Sequence, residues 1–262
     1  MAEPRDLSDL IVATARQKAA AAQARLNPDP LAEKPRDAIL AGLRLVADAL
    51  AGDGYTLVPS SPKLARKHGD LTLQFNIQSD RNNIAGHRAA IWVHPAVYSR
   101  SFTAWSRNHD SEWIRPNASF PLAFFGAQIG DFCQPRGWME WDFADAATRD
   151  VVADDLVRTI RDNVFPVFDI FDGPMEGIAA LADRDWPPPD CLLGYLLSQG
   201  QGEAAEKALK RYLAARPKVE AQFHPLLRKF AVEGLPPFRD LGAADLAAFA
   251  LATGYPWRPS LV

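Results

Sequence analysis

The sequence predicts an α+β fold: a mainly antiparallel sheet covered by helices, with a C-terminal α-helical subdomain. Three observations carry that expectation. Apolar residues recur at helical spacing up to residue 51, alternate with polar ones between residues 55 and 143, and return to helical spacing from Asp145 onward. The breaks between these stretches divide the chain into an N-terminal helical arm over residues 1–35, an α+β domain over 36–184 and a helical subdomain over 185–262.

In the arm, Leu7, Leu10, Ile11, Ala15 and a run of alanines predict a helix over residues 6–25, closed by Asn27-Pro28-Asp29-Pro30. A second helix is expected from Arg36 to Ala51, where Ile39, Leu43, Val46 and Leu50 form one stripe before Gly52 and Gly54 stop it. Leu71, Leu73, Phe75 and Ile77 then alternate with Thr72, Gln74, Asn76 and Gln78, the pattern of a strand with one buried and one wetter face. The turn-forming Asp80-Arg81-Asn82-Asn83, with Gly86 beyond it, predicts a hairpin to a partner strand over Arg88–Ala96. A register that sets Phe75 against Ile91 also sets Leu73 against Val93, Ile77 against Ala89, Gln74 against Trp92 and Thr72 against His94. Both faces then agree in character. Further strands are expected at Tyr55–Val58, Lys63–His68, Phe120–Gln128 and Trp138–Phe143.

From Asp145, the stripe Val152, Leu156, Ile160, Val164 and Phe168 predicts a helix lying across the sheet, with Pro166 kinking or shortening it. After Trp186-Pro187-Pro188-Pro189, a helical hairpin is expected with arms near Cys191–Gln199 and Glu203–Ala215, resembling a single tetratricopeptide-like unit.

The chain has 262 residues, 48% hydrophobic and 23% charged, with only 2 Cys, which excludes a disordered polypeptide and a disulfide scaffold. Its first residues carry no apolar run of signal-peptide or membrane-span length, so a cytoplasmic location without membrane contact is expected, with Cys133 and Cys191 reduced. The net charge of -3 gives no basic field for nucleic acid. That figure conceals a local imbalance: residues 51–130 carry a net of +3 and residues 131–190 a net of -9. Solvated helix faces account for much of this acidity. Asp154, Asp155, Asp162 and Asp169 could also present a face to a basic protein partner.

Most familiar catalytic signatures are missing. No serine has the flanks of a nucleophile elbow, and Gly200-Gln201-Gly202 follows a helix rather than a strand, which removes the geometry of a phosphate loop. The five histidines form no HxH, HxxxH or HExxH, so no metal site and no cofactor are expected. Glu140 and Asp142 share a strand face with Asp131 nearby, but where metal-dependent nucleases place a lysine two residues after the acid this chain has Asp142. The Trp105–Trp113 stretch mixes aromatics and bases; covering a sheet edge explains it better than stacking nucleobases.

Residues 40 to 180 resemble a bacterial family known only as a domain of unknown function. The residues that carry the resemblance are Gly54-Tyr55 at a helix end, a short strand at Lys67 to Asp70, a strand closing on Gln78-Ser79, the alternating Ala90 to Val93 and a later Trp-rich stretch. Where that family's pattern has Asn-x-Gly, this chain reads His94-Pro95-Ala96. The resemblance implies an α+β domain and no catalytic residue.

Two functions are expected from these residues. The first is a non-enzymatic protein-binding module, toxin-neutralising, immunity-like or regulatory, using the acidic face. The alternative is a small-ligand-binding protein or enzyme that uses the wet sheet face, where Gln74, Gln78, Arg88, Trp92 and His94 would converge.

Overall fold

The first helix described, α1 (Pro35–Leu50), begins with proline at a position whose N–H would have no intrahelical partner, so its absence costs nothing. The structure is a computed structural model that describes residues 31–109, 111, 113–114, 122–183, 189–236 and 242–254. The helix expected over 6–25 and the Trp186-Pro187-Pro188 break lie outside the described residues. In α1, Ile39, Leu43, Val46 and Leu50 are buried, as their spacing predicts. Gly42 lies on the same side because the Phe143 ring occupies the space a Cβ would need there.

Six strands form one antiparallel sheet among the described residues: β1 (Thr56–Val58), β2 (Lys63–His68), β3 (Leu71–Ser79), β4 (Ala90–Ser99), β5 (Ala123–Gly126) and β6 (Trp141–Asp142). They follow the order β1-β2-β3-β4-β5, and β6 pairs with β4 beyond the end of β5. The expected strands are present, but those expected at Phe120–Gln128 and Trp138–Phe143 are shorter, and Phe120 itself lies outside the described residues.

The β3–β4 register differs from the expected one. Phe75 faces Pro95 rather than Ile91, Ile77 faces Val93, Gln78 faces Trp92 and Asn76 faces His94. The chain reverses around Gly86, whose φ is +68°, with Ile84 bridged to Arg88. Asp80-Arg81-Asn82-Asn83 is not the reversal, because its side chains extend the ladder. Asn83 exchanges two hydrogen bonds of 2.8 Å with the Ala90 backbone, and Asp80 N–H donates to Ala90 O. The displacement is by an even number of residues, so every side chain keeps its expected face.

Pro95 sits in the middle of β4 without harming the β3 ladder. Its carbonyl accepts from Ala127 N–H, so its missing N–H also points to the β5 edge. Beyond Ser99, whose hydroxyl caps it by accepting from Phe102 N–H, runs α2 (Arg100–Arg107), a helix not expected from the sequence before Trp105. Trp113 is buried and Trp105 packs against Phe102, in keeping with a covering role.

Across the apolar sheet face lie α3 (Arg149–Thr159), a π-helical turn (Ile160–Val164) and α4 (Phe165–Phe168). Pro166 cannot donate backward and its ring crowds the preceding carbonyl, so the helix widens into a π turn, with Phe165 N–H bonded to Ile160 O, and continues. Leu156, Ile160, Val164 and Phe168 are buried, and Phe168 reaches Phe75 at 5.6 Å between centroids.

After α5 (Met175–Ala180) come α6 (Asp190–Ser198) and α7 (Gly202–Ala214), the expected hairpin, then α8 (Pro217–Glu233) and α9 (Ala243–Ala252). The hairpin belongs to the same hydrophobic core as the sheet. Tyr195 stacks on Phe124 of β5 at 3.9 Å, and Gly194 admits the Phe102 ring of α2 to 2.8 Å of where its Cβ would be. Gln199 donates a 2.6 Å hydrogen bond to Ser101 Oγ. Among the described residues no helix is long and apolar enough to cross a membrane.

Candidate functional site

Alternation along β3 and β4 puts Thr72, Gln74, Asn76 and Gln78 on the sheet face opposite Phe75, beside Trp92, His94, Ala96 and Tyr98. Pairing with β2 adds Lys63 opposite Asn76, Ala65 opposite Gln74 and Lys67 opposite Thr72. Among the described residues no helix seals this face along its whole length. α2 stands over its β4 end, and the C-terminal helices approach from the β5 edge.

Two cavities open between these covers. One, of about 580 Å³, is bordered by Asn76, His94 and Tyr98 and walled by Gly126 of β5, Asp190 of α6 and Asp245 of α9. The other, of about 610 Å³, has Thr72, Gln74, Asn76 and Tyr98 as its floor and Lys63, Arg100 and Arg107 around it. Asn76 and Tyr98 belong to both. They form the ridge where the chambers meet, so the face is one trough in two parts.

The ridge is an ordered hydrogen-bond chain. Gln74 Nε2 donates to Asn76 Oδ1; Asn76 Nδ2 donates to His94 O at 3.3 Å and to Tyr98 Oη at 3.2 Å. The amide orientations follow from this network. Tyr98 Oη therefore acts as acceptor, and its own proton meets no acceptor among the described residues. Gln74 is 8% exposed, a buried polar side chain fastened in place by this chain.

His94 borders the first chamber, and its Nε2 is enclosed with no hydrogen-bond partner. Burial holds its pKa below the usual histidine value, only partly opposed by the charge of Asp131. The imidazole is therefore neutral at pH 7, with one nitrogen able to accept and the other to donate. Gly126 keeps the wall close: its φ is +157°, and a Cβ would lie 2.6 Å from Pro95 O.

The residues expected to converge separate into two groups. Gln74 and His94 border the cavities. Arg88 lies in the hairpin reversal rather than in β4, and its guanidinium is held by Asp80 at 3.0 Å and Glu140 at 2.9 Å. Burial would raise the Asp80 carboxyl, but the Asn82 backbone N–H, followed by Arg88 and the Asn82 side chain, outweighs it and keeps the pKa below its ordinary value. Gln78 is exposed, and opposite it Trp92 lies edge-on to Trp138 at 5.1 Å, with Trp138 62% exposed. Lys63, Asn76, Tyr98, Arg100 and Arg107 were missed. Asn76 already stood on the wet face of the alternation without being singled out, and extending the alternation of the second strand to residue 99 would have found Tyr98.

Other candidates are occupied. Asp142 Oδ1 accepts from Ala89 N–H at 2.7 Å and from Ala144 N–H at 3.1 Å, and Glu140 holds Arg88, so these acids serve the sheet edge. Among the described residues no group of His, Cys, Asp or Glu has the geometry to hold a metal ion. Cys133 and Cys191 are half-buried and not joined in a disulfide, and burial pushes the Cys133 thiol up, away from the reactive thiolate. Of the acidic residues, Asp155 accepts from Trp141 Nε1 at 3.0 Å and pairs with Arg158, fastening α3 to β6. Asp154, Asp162 and Asp169 are exposed and form no ion pair among the described residues.

Fold and site together define an antiparallel α+β protein with a two-chambered trough on one sheet face, its walls largely apolar and its ridge polar. No family model, curated protein or solved structure matches the chain.

Proposed function

We propose that the protein binds a small polar molecule in the trough on the open face of β3 and β4. The observation that carries this reading is the meeting of two cavities at a pre-ordered polar ridge, Gln74–Asn76–Tyr98. Such a surface is costly to build unless something uses it, because polar groups fixed in a concavity gain little stability over the same groups in water. Neutral His94 and the unaccepted Tyr98 proton offer directional contacts, and the apolar side of the ladder holds them rigid.

The test is a screen of polar metabolites by ¹H–¹⁵N NMR. A ligand that shifts the backbone signals of Asn76, His94 and Tyr98, and whose binding Tyr98→Phe and His94→Ala weaken without unfolding the protein, supports the reading. Ligands that bind only elsewhere, or a verified ligand unaffected by both substitutions, overturn it.

A second reading has its own observation. Asp154, Asp162 and Asp169 stand exposed along α3, the π turn and the residue after α4, and would suit a basic protein partner in a toxin-neutralising or regulatory pair. A partner recovered at low salt, released as salt rises and lost on Asp154→Asn with Asp162→Asn would support it. Recovery that neither salt nor those substitutions alters would count against it.

A further inference from the structure

We infer that the chamber beside α2 receives the oxyanionic group, phosphate or carboxylate, of a small ligand. The inference rests on the trough being a ligand site and assigns the charge of what enters its α2 end. Three cationic side chains surround this chamber: Lys63 from the β2 side, Arg100 and Arg107 from α2. Among the described residues no carboxylate lines it, in a chain whose net charge is -3. Lys67, opposite Thr72, adds a further positive charge to the same face.

The neighbouring acid, Asp70, offsets part of the charge of Arg100 and leaves Lys63 untouched. Asp70 lies 3.8 Å from Arg100 Nε, and its carboxylate already accepts from Ser101 N–H, from Ser101 Oγ at 2.7 Å and from Ser99 Oγ. Arg100 Nη2 also donates to Gly69 O at 3.1 Å, which holds the guanidinium in place while the side chain remains mostly exposed. Lys63 forms no ion pair among the described residues. Like charges gathered around a concavity repel one another, and an anion between them turns that repulsion into attraction.

The floor supplies what an oxyanion needs besides charge. Asn76 already donates to Tyr98 Oη, so the phenolic proton is left to donate to a ligand oxygen. The hydroxyl of Thr72 and the amide of Gln74 lie beside it. The other chamber has the opposite character: Asp190 and Asp245 line it, and no lysine or arginine does so among the described residues. Among the described residues a ligand spanning the ridge would therefore meet lysine or arginine at one end only. The anionic group belongs at the α2 end.

Calorimetric and NMR titrations with inorganic pyrophosphate and with citrate, at low ionic strength, test the assignment in wild-type protein and in Lys63→Gln, Arg100→Gln and the double variant. Saturable binding that shifts Thr72, Gln74 and Tyr98 and weakens about tenfold per charge removed supports it. Preference for pyrophosphate identifies phosphate, and preference for citrate identifies carboxylate. Matched thermal unfolding of the variants shows that they remain folded. Absence of anion binding, or binding that the variants leave unchanged, overturns the inference; a neutral or cationic ligand at His94 would leave the broader reading standing. A single-stranded oligonucleotide that displaces pyrophosphate and binds far more tightly would also overturn it, in favour of a nucleic-acid backbone.

Discussion

The two faces of the β3–β4 ladder share one backbone and one register, yet they do opposite work. On one, Leu73, Phe75, Ile91, Val93 and Val97 are buried in the hydrophobic core, with Phe168 of α4 packed on Phe75. On the other, Asn76, His94 and Tyr98 border open volume. The apolar face gains free energy from every area of contact, whatever its direction, so helices close over it completely. Polar side chains gain only when donor meets acceptor, and the chain Gln74–Asn76–Tyr98 satisfies its members incompletely. The difference teaches that stability resides on one face, which leaves the other available for the proposed recognition.

The contrast can be broken most forcefully at Phe75. Its ring is fully buried between Tyr55 and Phe168, and Phe75→Ala should cost about 3–5 kcal/mol in urea denaturation. A loss below about 1 kcal/mol would show that this face is loosely packed. Next, Gly42→Ala should cost about 1–3 kcal/mol, because the added methyl must displace the Phe143 ring. Little or no loss there would mean that α1 can shift away from β6.

On the polar face the same class of experiment should register far less. Tyr98→Phe removes one acceptor from Asn76, whose Nδ2 keeps its bond to His94 O, so stability should fall by about 1 kcal/mol or less while ligand binding is lost. A destabilisation as large as that of Phe75→Ala would erase the distinction between the faces.

Smaller again is a pH effect. Burial lowers the folded pKa of His94 below its unfolded value of about 6.5, so the unfolded chain binds a proton that the folded one resists. The stability from keeping His94 neutral is present above about pH 6.5 and falls as the pH drops toward the folded pKa. Urea midpoints at pH 7.5 and 5.5 should show this decline in wild type, and His94→Gln should flatten it. An unchanged slope in the variant would assign the decline to another group. Asp70 acts lower on the scale: hydroxyls of Ser99 and Ser101 and the charge of Arg100 outweigh its burial and hold its pKa down, so its contribution disappears as pH falls below about 4.

Much of this contrast was legible in the sequence. The alternation of Leu71, Leu73, Phe75 and Ile77 with Thr72, Gln74 and Asn76 identifies the two faces, because strand side chains alternate whatever lies above them. The helix stripes of α1 and α3 were equally plain. The hairpin reversal was not: Asp80 and Asn83 have the composition of a turn, but the Asp80 backbone N–H and the Asn83 side chain prolong the ladder, moving the reversal to Gly86. That displacement put Gln78 rather than Gln74 opposite Trp92, and it took Arg88 out of the strand. It also let β4 run on to Ser99 and carry Tyr98 to the centre of the trough.

By itself the sequence determined the elements, the face each strand residue occupies and the acidity of residues 131–190. These follow from local periodicity and composition, which no neighbour can alter. Only the tertiary structure decided where on the polar face space remains and which charges surround it. Lys63 arrives through β2 pairing, Arg100 and Arg107 through a helix that begins where β4 stops, and Asp190 and Asp245 through helices about a hundred residues or more along the chain. Convergence of that kind depends on long-range docking, and its free energy comes from apolar contacts such as those of Phe102, Phe124 and Tyr195 rather than from the polar residues that line the trough.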